Sequence, residues 1–159
     1  MEAGDVDAAM EVWRQGDCVL GEHWFAYRVH GEDPDLREEP VDGFVVLTQT
    51  CDIVRQSAER PVLEVCPLVE MEEKHLVEIE RGYRPRYAHV ATLSPKRLVA
   101  DLDRVMSIEK RVAAGWQRVP GWTSDAEARR FANAIGRKRT RFALRRDQLQ
   151  TEAHSVVGR

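Results

Sequence analysis

The chain has 159 residues, of which 43% are hydrophobic and 32% are charged, and its formal net charge is −3. This length and composition are typical of one soluble domain with an average core. No apolar run approaches the roughly 18 residues that a membrane-spanning helix needs. The acidic first ten residues also lack the pattern of a secretory signal. The sequence therefore excludes a membrane span and predicts a cytoplasmic protein.

The two halves of the chain carry opposite charge. Residues 1–80 contain 20 Asp and Glu against 6 Lys and Arg, a net of −14. Residues 81–159 contain 7 against 18, a net of +11. In a compact domain these halves attract each other; alternatively, the basic half faces an acidic partner such as a nucleic acid or another protein. Both interpretations stay open at this point.

The N-terminal part predicts a helix, a strand and a loop. Val6, Met10 and Trp13 recur at helical spacing. Residues 18–31 are rich in strand-forming side chains and predict a strand or a bent hairpin. Residues 31–42 are acidic and contain two prolines, which indicates an exposed loop.

The central part predicts several strands. Residues 43–53 are apolar on consecutive positions, which is typical of a strand buried on both faces. Residues 62–71, 74–80 and 86–94 predict three more strands. Residues 97–112 fit either a helix or two short strands with a bend between them.

The C-terminal part predicts a helix and a basic extension over residues 123–150. Phe131 and Ile135 form the apolar stripe of the helix, and Gly136 suits its C-terminal end. The basic stretch after this glycine alternates in a way that predicts a short extended segment. Residues 151–159 are predicted to be a disordered tail.

These elements together predict a single domain over residues 1–159 of the α+β class. Its core, residues 15–112, is expected to be a small, strongly bent antiparallel β-barrel of the SH3-like type. One helix precedes this barrel and one follows it.

The order of the motifs resembles the small β-barrel of the MazF/PemK toxin family. The resemblance covers roughly residues 15–112 and implies a PemK-like barrel. The motifs that carry it are, in chain order, Gly16-Asp17-Cys18-Val19, the central strand 43–48, Val65-Cys66-Pro67-Leu68, His89-Val90, and the stretch from Asp101 through Arg104 to Lys110.

The chain departs from this family at the two positions where its RNA-cleaving members carry catalytic residues. Those members have an Arg-Pro pair entering the central strand and a Ser or Thr just after the Pro-Leu element. Here "VDGF" (41–44) enters the central strand, and Val69 follows Leu68. The pair Arg60-Pro61 enters the next strand instead. The resemblance therefore implies the barrel without the catalytic pair, and this predicts a binding role without catalysis.

A second resemblance rests on three stretches taken together. They are "TQTCDI" (48–53), "DLDRVMSIEK" (101–110) and "FANAIGRKRTRFAL" (131–144). The combination is similar to a group of uncharacterised bacterial proteins that are frequently associated with mobile or defence gene neighbourhoods. This resemblance brings no activity, but it implies that the first motif and the basic stretch belong to one unit.

Cys51 and Asp52 lie side by side after the central strand. A reactive cysteine needs a nearby cation, a histidine or a helix N-terminus, whereas the adjacent carboxylate disfavours the thiolate. The histidines that could approach it in the fold are His23, His30, His75 and His89. We interpret Cys51 as structural. If the protein is an enzyme, the catalytic candidates are Cys51, Asp52 and Arg60, and whether it is one stays open.

The cysteines do not form a redox or zinc motif. Cys18, Cys51 and Cys66 are odd in number, and none belongs to a C-x-x-C pair. Together with His23 they could supply zinc ligands only if the fold gathered them, because their spacing matches no zinc motif. The sequence predicts no metal and no cofactor.

The basic stretch is the strongest signal after the strands. From Arg129 to Arg146 the chain carries eight Lys and Arg and no acid, with Phe131 and Phe142 interleaved. Arginine binds carboxylates and phosphates well, and aromatic rings can stack on bases. We predict that these residues bind an acidic protein surface or nucleic acid, or else pair with the acidic half of the chain: Arg129, Arg130, Arg137, Lys138, Arg139, Arg141, Arg145 and Arg146.

Three functions follow from these patterns. The leading hypothesis is a non-catalytic binding or adaptor subunit of a bacterial defence or toxin–antitoxin-like system. The alternative is a ribonuclease-like or other hydrolase that uses Cys51 and Asp52. The third is a homodimeric structural subunit, because barrels of this kind associate through their faces.

Overall fold

A computed structural model describes the backbone of residues 2–28 and 36–156 and the side chains of residues 2–28 and 36–140. The helices of these residues are α1 (Ala3–Met10), α2 (Thr50–Ile53), α3 (Glu73–Glu80), α4 (Lys110–Ala114) and α5 (Asp125–Val156). Their strands are β1 (Cys18–Arg28), β2 (Leu36–Val46), β3 (Val62–Glu70), β4 (Tyr87–His89), β5 (Leu98–Asp101) and β6 (Met106–Glu109), and a short 3₁₀ helix spans Ala91–Lys96. The predicted α+β class is confirmed.

The six strands form one antiparallel sheet in the order β1-β2-β3-β5-β4, and β6 also pairs with β3. The first part of β3 lies between β2 and β6, and its last residues pair with β5. In the described residues β1 approaches β6 through a contact of 3.3 Å from Ala26 N to Met106 Sδ. A methionine sulfur lies where a closed barrel needs a backbone carbonyl. The sheet is therefore not closed into the predicted barrel.

The sheet carries a core on each of its faces. Val45 and Leu47 belong to a buried cluster with Phe131 and Ile135 of α5. Phe44 and Val46, whose side chains alternate with those two, belong to a second cluster that contains Val6, Met10 and Trp13. The predicted burial of this strand on both faces is confirmed. So are the apolar stripes predicted for the first and last helices.

The loop prediction for residues 36–42 was wrong, because these residues form the first half of β2. They pair with β1 from Leu36 opposite Arg28 to Val41 opposite His23. Backbone pairing needs no apolar side chain, and most of the acidic side chains on this strand face solvent. This acidic, proline-containing stretch forms a strand because its backbone pairs with β1.

The central strand ends at Val46 and not at residue 53 as predicted. Leu47 N donates to Glu64 O at 2.8 Å, and Glu64 N donates to Thr48 Oγ1 at 2.7 Å. The hydroxyl of Thr48 thus replaces the next backbone carbonyl of the ladder. The chain then turns, and residues 50–53 form the helical turn α2.

Three further element predictions are decided by the tertiary structure. Residues 74–80 are not a strand but lie within α3, where Leu76 is half-buried and Ile79 is buried one turn later. Residues 97–112 follow the two-strand interpretation as β5 and β6, which both pair with β3. The predicted strand over 86–94 contributes only three residues, Tyr87–His89, to the sheet.

Gly136 does not end the last helix. Helix α5 continues through the stretch that the alternation predicted to be extended, and its backbone is helical as far as Val156. The buried side chains of Phe131 and Ile135 attach its first half to the sheet. Residues 157–159 of the predicted tail lie outside the described residues.

Replacing Gly136 by alanine is expected to raise the free energy of unfolding by roughly 0.5–1 kcal/mol, because glycine is a poor residue in a helix interior. A Cβ at this position meets no atom within 4 Å. Urea denaturation followed by circular dichroism measures the change. Gly82→Ala is the control with the opposite sign, since its φ is +78° and its Cβ falls 2.8 Å from the Arg137 guanidinium. A loss of stability in Gly136→Ala contradicts a helix that continues past this residue.

Candidate functional site

The segment from Thr48 to Arg55, which we name the Cys51 turn, is held by the chain that precedes β1. Gln15 N donates to Thr50 Oγ1 at 3.1 Å, and the side-chain amide of Gln15 donates to Leu47 O at 2.7 Å. The polar residues of the "TQTCDI" motif thus have local structural partners. The motif is polar because its hydroxyls complete a turn after β2.

Lys110 contacts the same turn from the protein interior. Its side chain is fully buried, and its Nζ donates to Arg55 O at 2.6 Å and to Asp52 O at 3.3 Å. Burial lowers the pKa of Lys110, while the nearby carboxylates of Asp7 and Asp52 act in the opposite direction. Lys110 ends the "DLDRVMSIEK" motif, so this lysine physically links the two motifs. The sequence carried no signal for a buried lysine at this position.

Cys51 is exposed on α2. Its Sγ lies 3.8 Å from Gln49 Oε1. Asp52 Oδ1 lies 3.5 Å from Arg55 Nε and 4.0 Å from Arg60 Nη2. The structure therefore brings two of the three catalytic candidates, Asp52 and Arg60, together as a partly exposed ion pair.

The described histidines that were considered as bases engage other groups. They are His23, which packs against Phe44 and Trp116; His75, which contacts Arg84; and His89, whose Nε2 lies 2.6 Å from Ser94 Oγ. His30 lies outside the described residues. These contacts supply no base for a nucleophilic Cys51.

The other two cysteines belong to the core. Cys18 and Cys66 are fully buried in the cluster that also contains Val45. Burial raises the pKa of both thiols, and the charge of Asp17 raises that of Cys18 further. Among the described residues there is no group of three or more His, Cys, Asp or Glu side chains that could hold a metal ion.

The first half of α5 pairs with acidic residues of the same chain. Arg130 Nη1 lies 3.8 Å from Glu80, and Arg139 Nη2 donates to Glu64 at 2.6 Å. Lys138 forms an ion pair with Asp103. Three of the predicted partner-binding residues thus contact carboxylates within the domain.

These contacts belong to a wider attraction between the two halves of the chain. Six ion pairs of the described residues join the acidic half to the basic half, and they are Arg84–Glu78, Arg97–Glu70, Arg104–Glu39, Arg118–Asp17, Arg130–Glu80 and Arg139–Glu64. The opposite charges seen in the sequence are therefore partly matched inside the fold. The charge that remains for a partner is smaller than the sequence alone suggests.

The other predicted partner-binding residues have different surroundings. Arg129 and Arg137 are exposed, and the Arg137 guanidinium packs against Gly82 of the turn after α3. The side chains of Arg141, Arg145 and Arg146 lie outside the described ones, although the backbone of α5 continues through them.

A buried carboxylate organises a charge network that the sequence did not predict. Asp101 is 1% exposed and accepts two hydrogen bonds from Arg86, at 3.0 and 2.9 Å, and one from Arg104 Nε at 2.8 Å. Arg104 also pairs with Glu39 of β2. Burial by itself raises the pKa of Asp101, but the hydrogen bonds from Arg86, Asp103 N and Arg104 outweigh it, and the net pKa is lowered.

The spacing of Asp101 and Arg104 was visible in the sequence, but Arg86 and Glu39 were not linked to them. These residues come from separate strands and loops, so only the fold brings them together. The network joins β2, β5 and the loop before β4, and its neighbour Asp103 pairs with Lys138 of α5.

No helix among the described residues is long and apolar enough to cross a membrane. No protein-family model matches this sequence, and no curated protein or solved structure is detectably similar to it.

Proposed function

We propose that this chain is a non-catalytic binding or adaptor subunit of a bacterial defence or toxin–antitoxin-like system, and that it contacts an acidic protein surface through α5. The observation that carries the proposal is the run of eight Lys and Arg without an acid between residues 129 and 146, all on one continuous helix. Buried Phe131 and Ile135 hold the first half of this helix on the sheet, so the basic residues from Arg129 to Arg139 lie on an anchored helix.

A protein partner is favoured over nucleic acid by the acidic residues beside the helix. Glu64, Glu80 and Asp103 already pair with α5. These carboxylates repel the uniformly negative phosphates of a nucleic acid, whereas a mainly acidic protein surface can place an occasional basic residue against them. The contacts within the chain are also of the type that we propose for the partner, namely Arg or Lys with a carboxylate.

The MazF/PemK toxins enter the proposal only through the resemblance of the sequence motifs. The vacant catalytic positions support binding without catalysis. The hydrolase alternative gains little from Cys51, whose Sγ contacts an amide oxygen and no base. RNA cleavage by the unmodified chain that is lost in Cys51→Ser would support the hydrolase alternative.

Binding of a fluorescent nine-residue peptide of glutamate with a central leucine tests the adaptor role. We expect the affinity to fall at least about tenfold between 50 and 300 mM salt, because exposed charge pairs are screened. We expect a similar fall in the triple variant Arg141→Glu, Arg145→Glu, Arg146→Glu. Anisotropy titrations measure both changes.

The matched control changes the net charge equally at three exposed basic residues away from α5, in the triple variant Arg28→Glu, Arg37→Glu, Lys74→Glu. This control is expected to bind almost as well as the unmodified chain. Equal losses in both triple variants, or tighter binding of a 20-nucleotide RNA or DNA than of the peptide, contradict an acidic protein as the partner.

A further inference from the structure

A cavity of about 220 Å³ opens beside α5, and we name it the α5 cavity. Its apolar lining includes three buried side chains and one that is 46% exposed. The buried ones are Leu47, Leu102 and Ile135, and the exposed one is Val105. The cavity thus has an apolar floor and an accessible valine.

The rim of this cavity is charged. Asp103, Lys138 and Arg139 also line it, and Lys138 pairs with Asp103 while Arg139 pairs with Glu64. The side chain of Arg139 is 60% exposed and that of Glu64 is 47% exposed. Ion pairs this exposed contribute little to stability, so an incoming carboxylate can replace the internal partner at little cost.

Three stretches that stood out in the sequence meet at this cavity. Leu47 directly precedes "TQTCDI", Leu102 and Val105 belong to "DLDRVMSIEK", and Ile135 belongs to the basic stretch. Leu47 just before the Cys51 turn, the loop between β5 and β6, and α5 therefore contribute to one concave surface.

We infer that the α5 cavity binds one leucine or phenylalanine side chain of an acidic protein segment. This inference rests on the proposed function and names the place and chemistry of its contact. An apolar cavity of about 150 Å³ accommodates benzene, so the α5 cavity has room for either side chain. An apolar anchor within a polar rim is the usual arrangement of an interface hot spot.

The charged residues around the cavity favour acidic residues next to the leucine or phenylalanine of the partner. Lys138 and Arg139 lie on its rim, and α5 continues with Arg141, Arg145 and Arg146. Carboxylates next to the anchor can therefore pair with Lys138 and Arg139. A basic segment would instead be repelled by Lys138 and Arg139.

The experiment compares two peptides on the full chain, each of nine residues with glutamate at the flanking positions. One carries leucine at the centre and the other alanine. We expect the leucine peptide to bind about 30-fold more tightly, the effect of a hot-spot side chain. Val105→Trp is expected to remove this difference by filling the cavity.

Val112→Trp is the matched control, because Val112 is an equally exposed valine, 48% accessible, on α4. It is expected to keep the preference for leucine, and circular dichroism checks that both variants are folded. Equal, salt-sensitive binding of the two peptides overturns the cavity inference and leaves the adaptor proposal standing. A preference for leucine that persists in Val105→Trp also overturns the inference. No binding of either peptide overturns both.

Discussion

Replacing Asp101 by asparagine is expected to lower the free energy of unfolding by about 2–3 kcal/mol, which is the effect of losing hydrogen bonds to a buried charged group. Asp101 is 1% exposed and accepts three hydrogen bonds from the side chains of Arg86 and Arg104. Asparagine keeps the shape but has one acceptor oxygen and no charge. Chemical denaturation at pH 7 measures the loss.

The same variant tests the protonation of the network. Because the pKa of Asp101 is lower in the folded chain than its ordinary value, the ionised carboxylate contributes stability at pH values above about 4. This contribution disappears as the pH falls through the folded-state pKa. The difference in stability between the unmodified chain and Asp101→Asn is therefore expected to shrink below about pH 4.

Asp103→Asn is the control, since Asp103 pairs with Arg86 and Lys138 but its side chain is 40% exposed. The free energy of unfolding of Asp103→Asn is expected to fall by less than about 1 kcal/mol, as for other exposed ion pairs. If the two variants lose equal stability, or if the difference for Asp101→Asn does not change with pH, Asp101 is not the centre of the network.

Replacing Lys110 by methionine is expected to loosen the Cys51 turn and to cost about 2 kcal/mol, because two backbone carbonyls lose a charged donor. Methionine is of similar length and fills the buried volume. Trypsin cleavage after Arg55 measures the local effect. We expect it to be at least about tenfold faster, since the flanking segment opens more often.

Lys96→Met is the control for this experiment, because Lys96 is an exposed lysine at the end of the 3₁₀ helix. It removes one charge and one cleavage site without touching the Cys51 turn. Unchanged cleavage in Lys110→Met shows that the turn is held by Gln15 and Thr48 alone.

The fold was predictable where apolar residues follow one another or recur at helical spacing. The apolar run before Thr48 identified a strand buried on both faces, and Phe131 with Ile135 identified the apolar stripe of α5. The acidic residues 36–42 were missed as a strand because their pairing with β1 uses backbone groups. The helix at 74–80 was missed because its few apolar side chains fit an alternating pattern equally well.

The candidate site was predictable only in part. The run of eight basic residues is a property of the sequence. Its place on one helix was not predicted, because the helix was expected to end at Gly136 and the rest of the run to be extended. The partners of these residues were not predictable, since Glu64, Glu80 and Asp103 are far from α5 in the chain. The buried positions of Asp101 and Lys110 had no local signal.

The sequence by itself determined the α+β class, the strand buried on both faces and the opposite charges of the two halves, because these follow from residue type and spacing. The tertiary structure decided how much of that charge is neutralised within the chain. It also decided that Lys110 holds the turn that carries Cys51, and that three separate stretches enclose the α5 cavity. These outcomes depend on which distant residues pack together, and spacing along one chain does not encode such contacts in a locally readable form.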